Sequence, residues 1–346
     1  MAETLKIVIP MAGWGTRMRP HTYSKPKPLV SVAGKSTLEH LLDMFASVPS
    51  PQNTEYVFIV GPYLGEGQIP AFVTEKYPNM KAHFVVQREM KGQSHALYLA
   101  REYLHGPMVM CFSDTLMDAD FSLLADERAD CVAWVMPVPD PRRFGVAEVG
   151  ADGWVTRFIE KPQTLENNLV VVGCYYFKRA ESLLAAIDEQ MARGVTLKNE
   201  FFLTDAISIM IEQGARTRTE AIRTWLDTGT IDATLDTNRT LLEKAGTHTS
   251  TQVDRYTGTQ VKVIEPSFIH PSAEIKNSTI GPYASIGADC KIEDSRIEDS
   301  ILEAGCEIKS AGLIRSLIGK QAKIQGRGEA QSLSLNIGDD SSIVFS

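Results

Sequence analysis

From Phe268 onward the sequence keeps a beat of about six residues. Ile269, Ile275, Ile280, Ile286, Ile292 and Ile297 recur through FIHPSAEIKNSTIGPYASIGADCKIEDSRI, and Gly281, Gly287 and Gly305 stand at turn positions along the same stretch. A helix repeats its face about every 3.6 residues and a strand every 2, so neither element alone accounts for that spacing. One aliphatic residue per step fits a parallel β-helix, in which each side of a triangular coil sends one residue inward. An ordinary antiparallel sheet with chance spacing is the alternative.

Upstream the pattern is different. LKIVIP, EYVFIVG, AHFVVQ, PMVMCFSD and CVAWVMPV are β-branched-rich, nearly continuous apolar runs, the mark of buried strands. Residues 36–46, 94–103 and 121–127 between them carry apolar side chains at helical spacing. The alternation implies an α/β sheet, mostly parallel, with ligands at the carboxyl ends of its strands. A second set, VAEV, WVTRFIEKP, VVVGCYYF, helices over 181–192 and 199–213 and the segment TWLDTGT, is expected to close over the first as a substrate lid. A last helix over 231–244 meets Ala245-Gly246, and THTSTQVDRYTGTQ has linker composition. The expected division is a first domain over 1–246, a linker over 247–262 and the β-helix over 263–346.

Bulk properties exclude some functions. A net charge of −8 with no dense Lys/Arg run argues against a nucleic-acid surface, whereas a free nucleotide needs only a local positive pocket. The five cysteines are odd in number, contain no C-x-x-C pair and lie mostly in apolar runs, which predicts reduced core thiols. MAETLKIVIP has no leader pattern and no apolar segment approaches the length of a membrane span, so a cytoplasmic protein is expected.

The chemistry concentrates in PMAGWGTRMRPHTYSKPKPLV, directly after the first strand. Gly13 and Gly15 permit a tight turn that brings backbone N–H groups against phosphate oxygens, and Arg17 and Lys27 supply charge to neutralise a triphosphate. The segment lacks the G-K-[ST] of a Walker loop and the third glycine of G-x-G-x-x-G. Asp114 ends an apolar strand, where a carboxylate is costly unless paired or holding a cation. A lone aspartate there is more often a turn or cap residue, and TWLDTGT alone reads as a capped turn around Asp227.

Taken together, G-x-G-T-R-x-x-P-x-T followed by P-K-P-L resembles the signature of the sugar nucleotidylyltransferases, although Trp14 stands where many members have glycine. The resemblance implies a Rossmann-like mixed, mostly parallel sheet, with Ala12, Gly13, Gly15 and Thr16 on the nucleotide and Arg17 and Lys27 in catalysis. VVQREMKGQSHAL resembles the family's base-binding string, which implies Gln87 and Gly92 on the nucleobase. Asp114 and Asp227 match the family's two Mg²⁺-binding aspartates, with Ser113 where glycine is usual. On the acceptor side the family holds sugar and phosphate with residues that map to Gly145, Glu160 and Lys161. Gly173 and Tyr176 are weaker pocket candidates. NEFFLTDAI matches a family string whose role reads as structural first. AGLIRSLIGKQAKI and NIGDDSSIVF resemble the tail of the longer form of glucose-1-phosphate thymidylyltransferase, which implies a left-handed β-helix.

The implied reaction joins a nucleoside triphosphate to a sugar 1-phosphate by direct in-line displacement, releasing pyrophosphate and using Mg²⁺. The resemblance favours dTTP or UTP over purine nucleotides, and glucose 1-phosphate as acceptor. Two other readings stand beside it. Hexapeptide β-helices also host acyltransferases, for which His270 is the one histidine in the repeat region, and the same catalytic fold occurs in regulatory subunits that bind without turnover. A homo-oligomer is expected, with the β-helix either assembling its subunits or biasing a regulatory site.

Overall fold

The computed structural model describes residues 3–245 and 260–345, so positions 247–259 of the expected linker lie outside the described residues. The chain packs as two compact units, one of Met1–Gly13 with Leu41–Trp225, the other of Trp14–His40 with Leu226–Ser346. A cut at the linker would have put residues 14–40 with the sheet. Their packing puts them with the C-terminal part instead.

The first unit is built on a nine-stranded sheet. Its strands are β1 (Leu5–Met11), β2 (Thr54–Val60), β3 (Ala82–Val86), β4 (Met108–Cys111), β5 (Cys131–Pro137), β6 (Gly145–Val149), β7 (Val155–Glu160), β8 (Leu169–Phe177) and β9 (Thr217–Ala221). The main path runs β7-β6-β8-β4-β1-β2-β3, with β5 between β8 and β9. β1 pairs in parallel with β2 and β4, so it is central, and Ile7, Val8 and Ile9 are fully buried. That double-sided burial explains its unbroken apolar run. β8 runs antiparallel to β4, β5 and β6, which makes the sheet mixed. VAEV, WVTRFIEKP and VVVGCYYF therefore continue the main sheet and form no separate lid.

Helices α1 (Thr37–Met44), α2 (Leu64–Lys76), α3 (Gln93–Leu99), α4 (Ala180–Arg193), α5 (Leu203–Glu212) and α6 (Ile231–Ala245) follow in chain order. The expected helix over 121–127 is a 3₁₀ segment, Phe121–Asp126, and the one over 199–213 begins only at Leu203. The helix Leu64–Lys76 was not legible, because Gly65, Gly67 and Pro70 all weigh against it. In the sheet unit α4 and α5 bury Leu183, Ile187, Leu203 and Ile207 in one apolar core with Val8 and Met110.

In the second unit the six-residue beat becomes three ladders of parallel strands. One ladder pairs Lys262 with Thr279 and Thr279 with Arg296; a second pairs Phe268 with Ser285 and Ser285 with Ile301; a third pairs Glu274 with Lys291 and Lys291 with Glu307. The long strands Glu307–Ile314 and Lys323–Leu333 turn a corner and join two of these faces. This is a parallel β-helix, and Ile275, Ile292, Ile308 and Ile324 stack inside it as one column. At Gly287 a Cβ would lie 2.8 Å from the backbone of the next coil, so close stacking requires glycine there.

All five cysteines are buried thiols. Among the described residues no helix is long and apolar enough to cross a membrane.

Candidate active site

In the sheet unit most candidate residues fall at or beyond strand ends, while Gly173 and Tyr176 lie within β8. β1 runs into Ala12 and Gly13, which follow Met11. Asp114 lies in the turn after β4, closed by the Thr115 N–H donating to the Phe112 carbonyl at 3.1 Å. Gly173 interrupts β8 beside that turn: its φ is +88°, its carbonyl accepts from the Phe112 N–H at 3.0 Å, and a Cβ would stand 2.4 Å from the Phe112 ring.

The base-binding candidates form a braced loop. Buried Gln87 donates through Nε2 to the Gly92 carbonyl at 3.1 Å and lies 3.2 Å from His95 Nδ1. Those contacts leave the Gln87 Oε1 as the side chain's acceptor. Gly92 has φ +99°, and a Cβ on it would press against the Phe201 backbone at 2.5 Å, so no other residue fits without movement.

On the acceptor side β6 and β7 put Gly145 directly opposite Glu160. The Glu160 carboxylate accepts from Thr204 Oγ1 at 3.1 Å and lies 3.6 Å from Lys161 Nζ. Burial raises its pKa above the usual carboxylate value, and the nearby lysine and the threonine hydrogen bond only partly offset that. Lys161, held at φ +49°, places its ammonium 4.2 Å from the centre of the Phe202 ring. A half-buried carboxylate with spare lone pairs, 3.6 Å from a lysine ammonium, is suited to a ligand carrying both hydroxyls and negative charge.

The second unit gathers the phosphate-turn candidates. Gly15 has φ +60°, its carbonyl accepts from Thr22 Oγ1 at 2.9 Å and from the Met18 N–H at 2.8 Å, and a Cβ on it would meet Thr22 at 2.9 Å and Lys27 Cβ at 3.3 Å. Thr16 opens the 3₁₀ turn Thr16–Met18 that carries Arg17. A Cβ on Gly229 would lie 3.2 Å from the Arg17 guanidinium and 2.6 Å from Asp227 Oδ1, so the strand end around Asp227 and the turn are in contact. Asp227 Oδ1 accepts from the Gly229 N–H at 2.6 Å, and its carbonyl accepts from Thr237 Oγ1 at 2.8 Å. Gly15, Arg17, Lys27 and Asp227 thus share one small region.

A nucleotidyl transferase family model matches residues 6–244. The chain belongs to the nucleotidyl transferase family. The model of the GMPPB C-terminal domain matches residues 263–343 of this nucleotidyl transferase. A glucose-1-phosphate thymidylyltransferase of Streptomyces antibioticus is 32% identical over 92% of this chain and 93% of its own. A UTP–glucose-1-phosphate uridylyltransferase of Haloferax volcanii is 29% identical over 65% of this chain and 91% of its own. A solved UDP-glucose pyrophosphorylase in complex with UDP-glucose superposes with a TM-score of 0.58 at 19% identity, covering 70% of this chain and all (100%) of that one, a likeness of fold.

In this nucleotidyl transferase the sheet unit brings Gln87 to Gly92, and Gly145 to Glu160 and Lys161, and sets Gly173 beside the Asp114 turn. Tyr176 stands apart from these groups. It pairs with Val109 and Val132, three residues down β8 from Gly173, and the charges that act on its buried hydroxyl are Glu127 and Glu3. Its neighbour Tyr175 is the one whose hydroxyl feels Glu160. The two alternate across the strand, so a one-residue choice in VVVGCYYF decides the face.

Thr204 and Phe201 went unassigned by sequence reasoning, yet NEFFLTDAI links two parts of the site. The Phe201 backbone packs on Gly92 and accepts from the Ser94 N–H at 3.1 Å, while Thr204 holds Glu160. The signal was the string itself. His270 hydrogen bonds Ser272 Oγ at 2.8 Å within the β-helix, so its ring is engaged locally.

Among the described residues no group of three or more His, Cys, Asp or Glu side chains is gathered for a metal. Asp227, with one oxygen already accepting a backbone N–H, has a donor set that suits a hard divalent cation, which takes few carboxylates and completes its shell with phosphate oxygens and water.

Proposed function

We propose that this chain transfers a nucleotidyl group from dTTP or UTP to a sugar 1-phosphate, with glucose 1-phosphate as the first acceptor to test, releasing pyrophosphate. The observation that carries the reading is the contact of the glycine-hinged turn and Arg17 with the Asp227 strand end. That proximity supports the reading because a guanidinium, loop N–H groups and one acidic ligand are the groups a metal-bound triphosphate calls for.

In the proposed reaction an oxygen of the sugar phosphate forms a bond to the α-phosphorus as the bond to the pyrophosphate oxygen breaks. No covalent enzyme intermediate is required. Arg17 and the N–H groups of Gly13 and Gly15 hold the leaving pyrophosphate, Lys27 faces the α-phosphate, and Lys161 meets the acceptor phosphate. Gly145, Glu160 and Gly173 hold sugar hydroxyls. Asp114 and Asp227 would hold Mg²⁺, whose positive charge offsets that building on the phosphates. Positioning two anions that repel each other is then the main task of the protein.

Hydrogen-bond complementarity supports this choice of base over cytosine and adenine. With its Nε2 committed to Gly92 and His95, Gln87 offers Oε1, an acceptor for the imide N–H of thymine or uracil. Cytosine and adenine have no N–H at the corresponding ring position. Thymine and uracil differ by one methyl, worth about 1–3 kcal/mol in an apolar pocket, so use of both is expected. The relatives named for thymidylyl and uridylyl transfer support the same pair.

The test is pyrophosphate release from a matrix of triphosphates against sugar 1-phosphates with Mg²⁺. Turnover highest with dTTP or UTP is expected, and Asp114→Asn or Asp227→Asn should lower kcat about 100-fold or more while the fold persists. No release with any pair, or full activity in both aspartate variants, would sink the reading.

A further inference from the structure

The turn-bearing segment is clasped by the β-helix through buried charges. Lys25 is 4% exposed, and its ammonium reaches both the Glu303 carboxylate and Asp339 Oδ1, the latter at 3.0 Å. Glu303, 1% exposed, also accepts the Ser31 N–H through Oε1 at 3.1 Å, and Asp339 Oδ2 accepts from Ser24 Oγ at 2.6 Å. Upstream, fully buried His21 meets Asn336 Oδ1 at 2.6 Å through Nε2.

These contacts bracket the catalytic candidates. Lys27 lies two residues beyond Lys25, between Pro26 and Pro28, whose rings fix φ and transmit the position of one lysine to the other. On the other side Thr22, next to His21, donates to the Gly15 carbonyl and so braces the turn that carries Arg17. Desolvating a lysine and two carboxylates is expensive, and an apolar contact would join the segment to the β-helix at lower cost. What the ionic contacts add is direction: each hydrogen bond fixes one atom of the segment against one atom of the coil.

We propose that Lys25, Glu303 and Asp339 are positioning residues for nucleotidyl transfer, through which the β-helix sets the placement of Lys27 and Arg17. The β-helix is then part of the triphosphate-handling machinery, beyond any role in assembly. This rests on the function proposed above.

The experiment uses the full chain. Glu303→Gln keeps the side-chain volume and the Ser31 acceptor but removes the charge opposite Lys25. Its kcat/KM for the triphosphate should fall about tenfold or more, since misplacement by an ångström is costly in catalysis. KM for the sugar phosphate should stay within about twofold, because Gly145 and Glu160 lie on the sheet unit. The thermal shift given by Mg²⁺ with the preferred triphosphate should shrink in parallel. The double variant Lys25→Met with Glu303→Leu replaces the pair by apolar groups, so it should lose less melting temperature than Lys25→Met alone, the remaining loss coming from Asp339 and the Ser31 N–H, while the triphosphate defect persists.

Either variant folded and within about twofold of wild-type kcat/KM for the triphosphate overturns the proposal. So does a defect shared equally by the KM of the sugar phosphate, the mark of general loosening. A wild-type chain that releases no pyrophosphate would overturn the function and the clasp together, whereas active wild type with indifferent variants removes the clasp alone.

Discussion

Glu160 in the sheet unit and Glu303 in the β-helix unit are both carboxylates taken largely out of water, and they are treated in opposite ways. Glu303 is matched on both oxygens, by Lys25 and by the Ser31 N–H. Glu160 has one hydroxyl and a lysine 3.6 Å away, and burial raises its pKa. A buried charge that is fully answered fixes structure, and one left partly unanswered has capacity for a ligand. The contrast teaches which acidic residues to assign to substrate and which to architecture, a distinction that burial alone does not make.

The contrast is most open to attack at Lys25. Lys25→Met strands Glu303 without its cation and should cost about 3–5 kcal/mol in denaturant unfolding. A loss below about 1 kcal/mol would put Glu303 in the same class as Glu160.

Glu160→Gln should do the reverse, lowering kcat/KM for the sugar phosphate about 100-fold without loss of melting temperature near neutrality. Its pH dependence has a definite sign. The folded carboxyl has a pKa above the usual 4.5, so its stabilising contribution is present below 4.5 and is lost as pH rises through the folded value. The melting temperature of Glu160→Gln should therefore gain on the wild type as pH rises across that window. An unchanged difference would mean that Glu160 ionises freely.

The β-helix side titrates in the opposite sense. Burial holds the His21 imidazole below its usual 6.5, only partly opposed by the Asn336 hydrogen bond and the nearby carboxylates. Stability from neutral His21 is present above 6.5 and is lost as pH falls through the folded value, by about 1.4 kcal/mol per pKa unit. Melting curves of His21→Gln should be flatter than those of the wild type between pH 7 and the folded value.

Gly15→Ala, which forces a Cβ into a +60° φ and against Thr22, should cost about 1–2 kcal/mol and raise KM for the triphosphate. Smallest of all, Glu307→Ala removes an exposed partner of Lys323 on the β-helix and should change stability by less than about 0.5 kcal/mol.

The β-helix was legible because its inward residues repeat along the chain itself: Ile275, Ile292 and Ile308 are neighbours for the same local reason that they recur. The central strand Leu5–Met11 was legible because burial on both faces demands a continuous apolar run. Helix Leu64–Lys76 was hidden, since packing overrides the poor propensity of its two glycines and its proline. Tyr175 and Tyr176 could not be told apart from a string in which both are aromatic and adjacent, because the register of β8 against β4 decides which one meets Glu160.

By itself, the sequence determined the chemistry available to this protein: a glycine-hinged turn with Arg17 and Lys27, aspartates after apolar segments, and a six-residue coil. Those properties are local, written in neighbouring residues. Tertiary structure alone decided that residues 14–40 belong with the β-helix, that Lys25 lies buried against Glu303 and that Thr204 holds Glu160. Each of these pairs is far apart in sequence, and the energy of a buried charge depends on which distant group folding brings to it.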